Sequence, residues 1–135
     1  MKILKNWFVV SLLLCGLFFT GIANAAIIIT ETATQDLTAG ALSSATTYGG
    51  RSKLLQVMLT ASEAITETVT VVFDSVRGSN YDTVLATEDL SAATSYVLRP
   101  CGECILDVGD AIAVTCTNAN VTGTVYLTIQ SEPLY

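Results

Sequence analysis

The residues best suited to chemistry sit in the last third of the chain. Cys101-Gly102-Glu103-Cys104 is a C-x-x-C, and Cys116 follows it. A C-x-x-C that opens a helix is a redox dithiol, because the helix N-terminus lowers the thiol pKa. Here Pro100 precedes the motif, a β-rich run follows it, and no βαβ pattern surrounds it. Three thiolates without a His make a poor zinc set, which a carboxylate such as Glu103 would have to complete. An iron-sulfur cluster would lack its fourth ligand. The plainer reading is a structural disulfide in an exported protein. If Cys104–Val108 and Ala111–Asn118 form a hairpin around Gly109-Asp110, a three-residue loop places Cys104 opposite Cys116. A four-residue loop places Cys101 there instead. Cβ atoms facing each other across such a pair lie within disulfide range. The remaining thiol is then a small buried hydrophobe or a link between subunits.

Other chemistry is scarce. The chain has no His, which removes the Ser-His-Asp triad, the Cys-His dyad and any imidazole metal site. Asp74, Asp82, Glu88, Asp89, Asp107 and Asp110 fall at strand ends and turns, where acids are ordinarily solvated. A glycosidase pair would need two of them facing across a cleft. No D-x-D-x-D-G calcium loop is present. No residue is therefore assigned a catalytic role, and no metal or cofactor is implied. Among the tyrosines, Tyr81 and Tyr96 are expected to pack inside. Tyr126 falls on the outward phase of its strand and is a candidate surface contact, for a glycan or a cell-surface partner.

Charge and the N-terminal segment narrow the setting. The 135 residues carry six Lys and Arg against twelve Asp and Glu, a net charge of -6. That balance argues against nucleic acid, which is bound through clustered bases. Lys2 and Lys5, the apolar run Trp7–Phe19 and the small-x-small Ala23-Asn24-Ala25 read as a signal peptide over residues 1–25. The apolar run is short for a membrane span. Cleavage would leave one domain, residues 26–135, of 110 residues with four bases and all twelve acids, net -8. Such a chain is expected to be exported to the periplasm, the cell surface or the medium, with no affinity for anionic membranes.

The elements that must position these residues are strands. Thr, Val, Ile and Tyr dominate, and apolar residues alternate with Thr or small residues at Leu55-Val57-Leu59, Val69-Val71-Phe73, Ile112-Val114-Cys116 and Val125-Leu127-Ile129. The spacing predicts strands at Ala26–Glu31, Leu54–Ala61, Thr68–Val76, Tyr81–Thr87, Thr94–Leu98, Cys104–Val108, Ala111–Asn118 and Gly123–Gln130. Turn residues such as Gly49-Gly50, Gly78-Ser79-Asn80 and Gly109-Asp110 separate many of them. The segment Thr32–Ser52 lacks a period and reads as a long loop, with a helical turn near Asp36–Ala41 capped by Asp36. The fold class is all-β: an antiparallel β-sandwich of seven or eight short strands, jelly-roll or immunoglobulin-like, with a small barrel as the alternative. Its core is expected to hold Leu55, Val57, Leu59, Val69, Val71, Phe73, Leu85, Ile112, Val114, Val125, Leu127 and Ile129.

From Thr68 to Gln130 the chain resembles a family of small phage-type virion proteins. The residues that carry the resemblance are Val71-Val72-Phe73-Asp74-Ser75, Tyr81-Asp82-Thr83-Val84-Leu85, Thr94-Ser95-Tyr96-Val97, Val108-Gly109-Asp110-Ala111-Ile112-Ala113-Val114 and Gly123-Thr124-Val125-Tyr126-Leu127-Thr128. The resemblance implies a β-sandwich capsid or tail accessory module. The export signal is a departure from that pattern and points to an exported relative. The expected function is a secreted, non-catalytic structural subunit that associates with itself. A carbohydrate- or ligand-binding module is the alternative, and a small acid-pair hydrolase a third reading. Ala26-Ile27-Ile28-Ile29 lacks alternation, and a run apolar on both faces must be covered on both. It is either an interior strand of its own sheet or an assembly strand that docks on a neighbour.

Overall fold

The computed structural model describes residues 26–120 and 122–135, so the leader reading for residues 1–25 lies outside the described residues. Among the described residues nine strands carry the regular structure: β1 Ile29–Asp36, β2 Leu42–Thr47, β3 Ser52–Ile65, β4 Thr68–Asp74, β5 Thr83–Asp89, β6 Ala93–Leu98, β7 Cys104–Leu106, β8 Ala111–Cys116 and β9 Thr124–Pro133. One sheet runs β1-β9-β3-β6, with β7 also paired to β3; the other runs β2-β8-β4-β5. All pairings are antiparallel, and they nest: β1 with β9, β2 with β8, β3 with β6 and β7, β4 with β5. A chain doubled back at the β4–β5 hairpin and then rolled delivers successive pairs to alternate sheets. That arrangement is the jelly roll. The nested pairing sets the immunoglobulin-like connection aside, and the separate hydrogen bonding of the two sheets sets the closed barrel aside.

The core forms between the sheets from the inward phase of each strand. Val57, Val71, Ile112, Val114 and Val125 are fully buried, with Leu59, Val69, Leu127 and Ile129 beside them. Phe73 and Leu85 are half-buried and pack against this cluster. Leu55 is a correction. β3 slips register against β9 between Leu54 and Gln56, so Leu55 is the extra residue of a bulge. Leu54 takes the core position and Leu55 is only half-buried outside it. Leu37, Leu42, Tyr48, Ile65, Leu90 and Leu106 complete the core from strand ends and connections that carry no alternation.

The long loop expected over Thr32–Ser52 is also corrected. Most of β1 and all of β2 lie there, and the strand expected at Ala26–Glu31 begins only at Ile29. Both are edge strands of mostly polar or small residues, Thr, Ala, Glu, Gln and Asp in β1 and Ser, Ala and Thr in β2. They complete sheets whose apolar side chains come from β9 and β8, so they need few of their own. The expected turn near Asp36 is present without a helix. The Thr38 amide and hydroxyl donate to Asp36 Oδ1 at 2.9 and 2.7 Å, and the Ala39 amide donates to the Asp36 carbonyl at 3.0 Å.

Alanine substitution separates the two leucines of the β3 bulge. Leu54→Ala is expected to cost about 2–4 kcal/mol and Leu55→Ala less than about 1 kcal/mol, because only the first leaves a core cavity. Urea melts of the two variants check it; equal losses would show that the bulge is misplaced.

Candidate assembly surface

Three connections meet at one end of the sandwich, those after β2, β4 and β7. Asp110 ties them together. It is buried, and its carboxylate accepts from the Val76 amide at 3.0 Å and the Asp107 amide at 2.8 Å, with the Ser75 hydroxyl at 3.4 Å. Its own carbonyl accepts from the Tyr48 amide at 2.9 Å, and the Gly109 amide donates to the Tyr48 carbonyl at 2.8 Å. Asp110 is thus not the solvated turn acid its position implied. Asp82 accepts from the Ser75 amide at 2.9 Å and pins the β4–β5 turn. Gly109 has φ 92°, and a Cβ there would lie 2.8 Å from Val76 Cγ2, so both backbone and packing require glycine. The Tyr48 ring closes the core at this end. Burial pushes its phenol up, against a smaller downward pull from Ser131, and its hydroxyl lies outside bonding geometry with any partner.

The same end gathers exposed apolar side chains. Ile27 and Ile28 precede β1; Val76 and Tyr81 lie on the β4–β5 turn; Val84 opens β5; Val108 lies on the β7–β8 turn. All six are more than half exposed. Tyr81, expected inside, is corrected to 59% exposed, because its residue belongs to a 3-10 turn beyond the sheet. Tyr96 does pack against the core. Tyr126 projects from the outer face of the first sheet, as its phase requires, opposite Thr34 and Thr60. Among the described residues it is the only aromatic on that face.

Charge is distributed along the same axis. Arg51, Lys53, Arg77 and Arg99, the four bases of the described residues, all lie in the apolar half, where Arg51 pairs with Asp107 at 3.6 Å and Lys53 with Glu103 at 3.5 Å. The opposite end carries Asp36, Glu63, Glu67, Glu88 and Asp89 and no base. Glu67 organises that end. It is buried and accepts from the Thr117 hydroxyl, the Ala119 amide at 2.9 Å and the Asn120 amide at 2.7 Å. Burial raises its carboxyl, but the Thr117, Asn120 and Ala119 donors together outweigh burial and hold it below the ordinary value. Sequence reasoning did not single out Glu67. Its only local signal is an acid in a tight Thr66-Glu67 turn between two apolar strands.

The expected hairpin between β7 and β8 is corrected. β7 pairs with β3 in one sheet, where Cys104 faces Leu54, and β8 lies in the other, where Cys116 faces Leu42 and Val69. The turn at Asp107–Asp110 forms, but it carries the chain from sheet to sheet. Cys101, Cys104 and Cys116 are all free thiols, respectively exposed, half-buried and buried. Burial, with the nearby charge of Glu67 adding to it, pushes the Cys116 thiol up to about 11. Burial also raises Cys104. Cys101 and Cys104 line a cleft of about 470 Å³ with Val84, Leu85, Leu98 and Pro100, between β5 of one sheet and the β6–β7 segment of the other. At the opposite edge Ala26, Ile27 and Ile28 lie outside any strand and are exposed, so the interior-strand option for this run is not the one adopted. Ile29 joins the sheet opposite Ser131.

No protein-family model matches the chain, and no curated protein matches it by sequence. Among solved structures it is similar to a chain from the acid-stable capsid of Helicobacter pylori bacteriophage KHP30. That match has a TM-score of 0.52 and 18% identity, covering 79% of this chain and 88% of that one. It is also similar to the Drosophila NLP core, whose structure concerns pentamer formation and histone binding. There the TM-score is 0.41 and the identity 14%, over 76% of this chain and 97% of that one. At these identities the likeness is one of fold.

Two measurements test this geometry. Alkylation of the folded protein at about pH 8 is expected to modify Cys101 first and Cys116 only on unfolding, read by mass spectrometry of peptides. Early Cys116 labelling would show that its strand is open. Glu67→Gln is expected to cost on the order of 1–2 kcal/mol near neutral pH, from lost charge-assisted hydrogen bonds. The wild-type carboxyl titrates below its ordinary 4.5 when folded. Its contribution is therefore complete above that value and is lost as pH falls through the lowered folded value. The gap between wild type and variant should close on acidification in urea melts; a gap that widens in acid would refute the assignment.

Proposed function

We propose that this chain is an exported, non-catalytic structural subunit that works by associating with copies of itself. The observation that carries the reading is the asymmetry along the molecule: six exposed apolar side chains and the four bases of the described residues lie toward one end, among seven acids, while the other end carries five acids and no base. Monomeric surfaces scatter apolar residues singly, and six of them gathered toward one end favour a contact there. The similarity of fold to a chain of a phage capsid supports an assembly role, as an analogy. The basic, apolar and small-x-small segments of residues 1–25 support export, with the product beginning at Ala26.

The test is the native mass of the exported product by light scattering. A defined multiple of one chain is expected, and each chain is expected to start at Ala26 by intact mass. Val84→Asp, at a site 60% exposed and hence near-neutral for folding, should reduce the assembled fraction. Tyr126→Ala, on the outer face away from that end, should leave it unchanged. A monomer at all concentrations would overturn the reading. Loss of glycan binding on Tyr126→Ala would favour a carbohydrate-binding module instead.

A further inference from the structure

We propose that the cleft between β5 and the β6–β7 segment receives the Ala26–Ile28 arm of a second copy. The inference rests on the self-assembly reading above and names its contact. The arm is unsatisfied where it stands: Ile27 is 57% and Ile28 54% exposed. The cleft offers it apolar walls in Val84, Leu85, Leu98 and Pro100, beside Arg99 and Glu103, and Val84 is largely open to solvent. The two lie on opposite lateral edges of one subunit, β1 bounding the first sheet on one side and β6 with β7 on the other.

They also lie at the same level. Ile29 faces Ser131, Ser131 faces Leu54, and Leu54 faces Cys104, a single lateral row from the base of the arm to the wall of the cleft. That row spans three interstrand spacings, ~14 Å. Ile27 stands two residues ahead of Ile29 and reaches at most ~7 Å from it. The arm therefore cannot fill its own cleft, and the occupant must come from a neighbour. A smaller cleft at the base of the arm, about 300 Å³, is lined by Ile29, Thr47, Gly49, Arg51, Pro133 and Tyr135. The exposure of Ile27 and Ile28 shows that the arm is not folded into it.

Arm and cleft are different surfaces, so the contact is heterologous. It propagates from each copy to the next until the rotation closes a ring. Every subunit then points its apolar end to one side of the ring and its acidic end to the other. An arm docking instead in the small cleft beside a partner's own arm would pair two copies and stop.

Cross-linking decides between these. Ile28→Cys is placed in a Cys104→Ser background, leaving Cys101 in the cleft wall, and the exported protein is oxidised gently with diamide, which takes up the two electrons as the thiols join. The expected result is a covalent ladder that extends past the dimer, is lost when Cys101→Ser is added, and is reproduced by Ile27→Cys. An oligomer by native mass with no Cys101-dependent link, or a link that stops at the dimer, would overturn the arm-in-cleft contact and leave the assembly reading standing. A monomer before oxidation would overturn both.

Discussion

A sandwich rolled from antiparallel strands must cross between its sheets again and again, and each crossing leaves backbone amides that no strand can satisfy. In this protein two buried carboxylates meet that demand, one at each end. Asp110 gathers the connections after β2, β4 and β7. Glu67 gathers the β3–β4 turn and the β8–β9 connection, and its carbonyl accepts from the Leu90 amide at 2.8 Å, which brings in the β5–β6 connection. A carboxylate suits the task because it only accepts and offers several lone pairs, and its bonds to amides are charge-assisted. The turns they hold are the platform on which the exposed side chains of either end are displayed. Val76 illustrates the coupling: its amide is fixed by Asp110, and its side chain rests on Gly109 and faces solvent.

What the sequence revealed of this fold follows from where the information lies. Strands such as β4, β8 and β9 supply their own apolar face, so alternation over Val69-Val71-Phe73 or Val125-Leu127-Ile129 located them. β2 takes its burial from β8, contributes Leu42 and otherwise small residues, and has no periodicity to detect. The β3 and β5 bulges defeat a strict period of two at Leu55 and Leu85. The Asp107–Asp110 turn carries the signals of a hairpin, and a crossing between sheets uses the same residues. Only the distant pairing of β7 with β3 distinguishes them, which is why the proposed Cys pairing to Cys116 rested on a hairpin that does not form.

The candidate assembly surface was less legible than the fold. The apolar run Ala26–Ile29 stood out because it breaks alternation. Val76, Tyr81, Val84 and Val108 are single residues scattered over a stretch of sequence, and nothing local marks them as neighbours. The nested pairing brings the β4–β5 and β7–β8 turns to one end, and the four bases fall in the same half for the same reason. Polarity along the molecule is thus a property of the topology, invisible until the pairing is known.

The edges of the sheets bear on how such a subunit would associate. An open strand edge invites indiscriminate pairing, and proteins blunt it with charge, bulges or short strands. β1 is an edge strand whose residues are nearly all polar, with Glu31 near its start and Asp36 at its end. β5 bounds the other sheet with a bulge at Leu85 and with Glu88 and Asp89 at its far end. Backbone pairing along either edge would set acids of one copy close to acids of the next, in a chain that carries twelve of them against six bases. Side-chain burial at the base of β1 or the start of β5 would instead cover the exposed Ile27, Ile28 and Val84, which stand beside the exposed Glu31 and Asp82. The acids of β1 and β5 and the exposed apolar side chains act together: the first disfavour strand addition at those two edges, and the second offer, at Ile27 and Ile28 and at Val84, surfaces whose contact would remove apolar area from water.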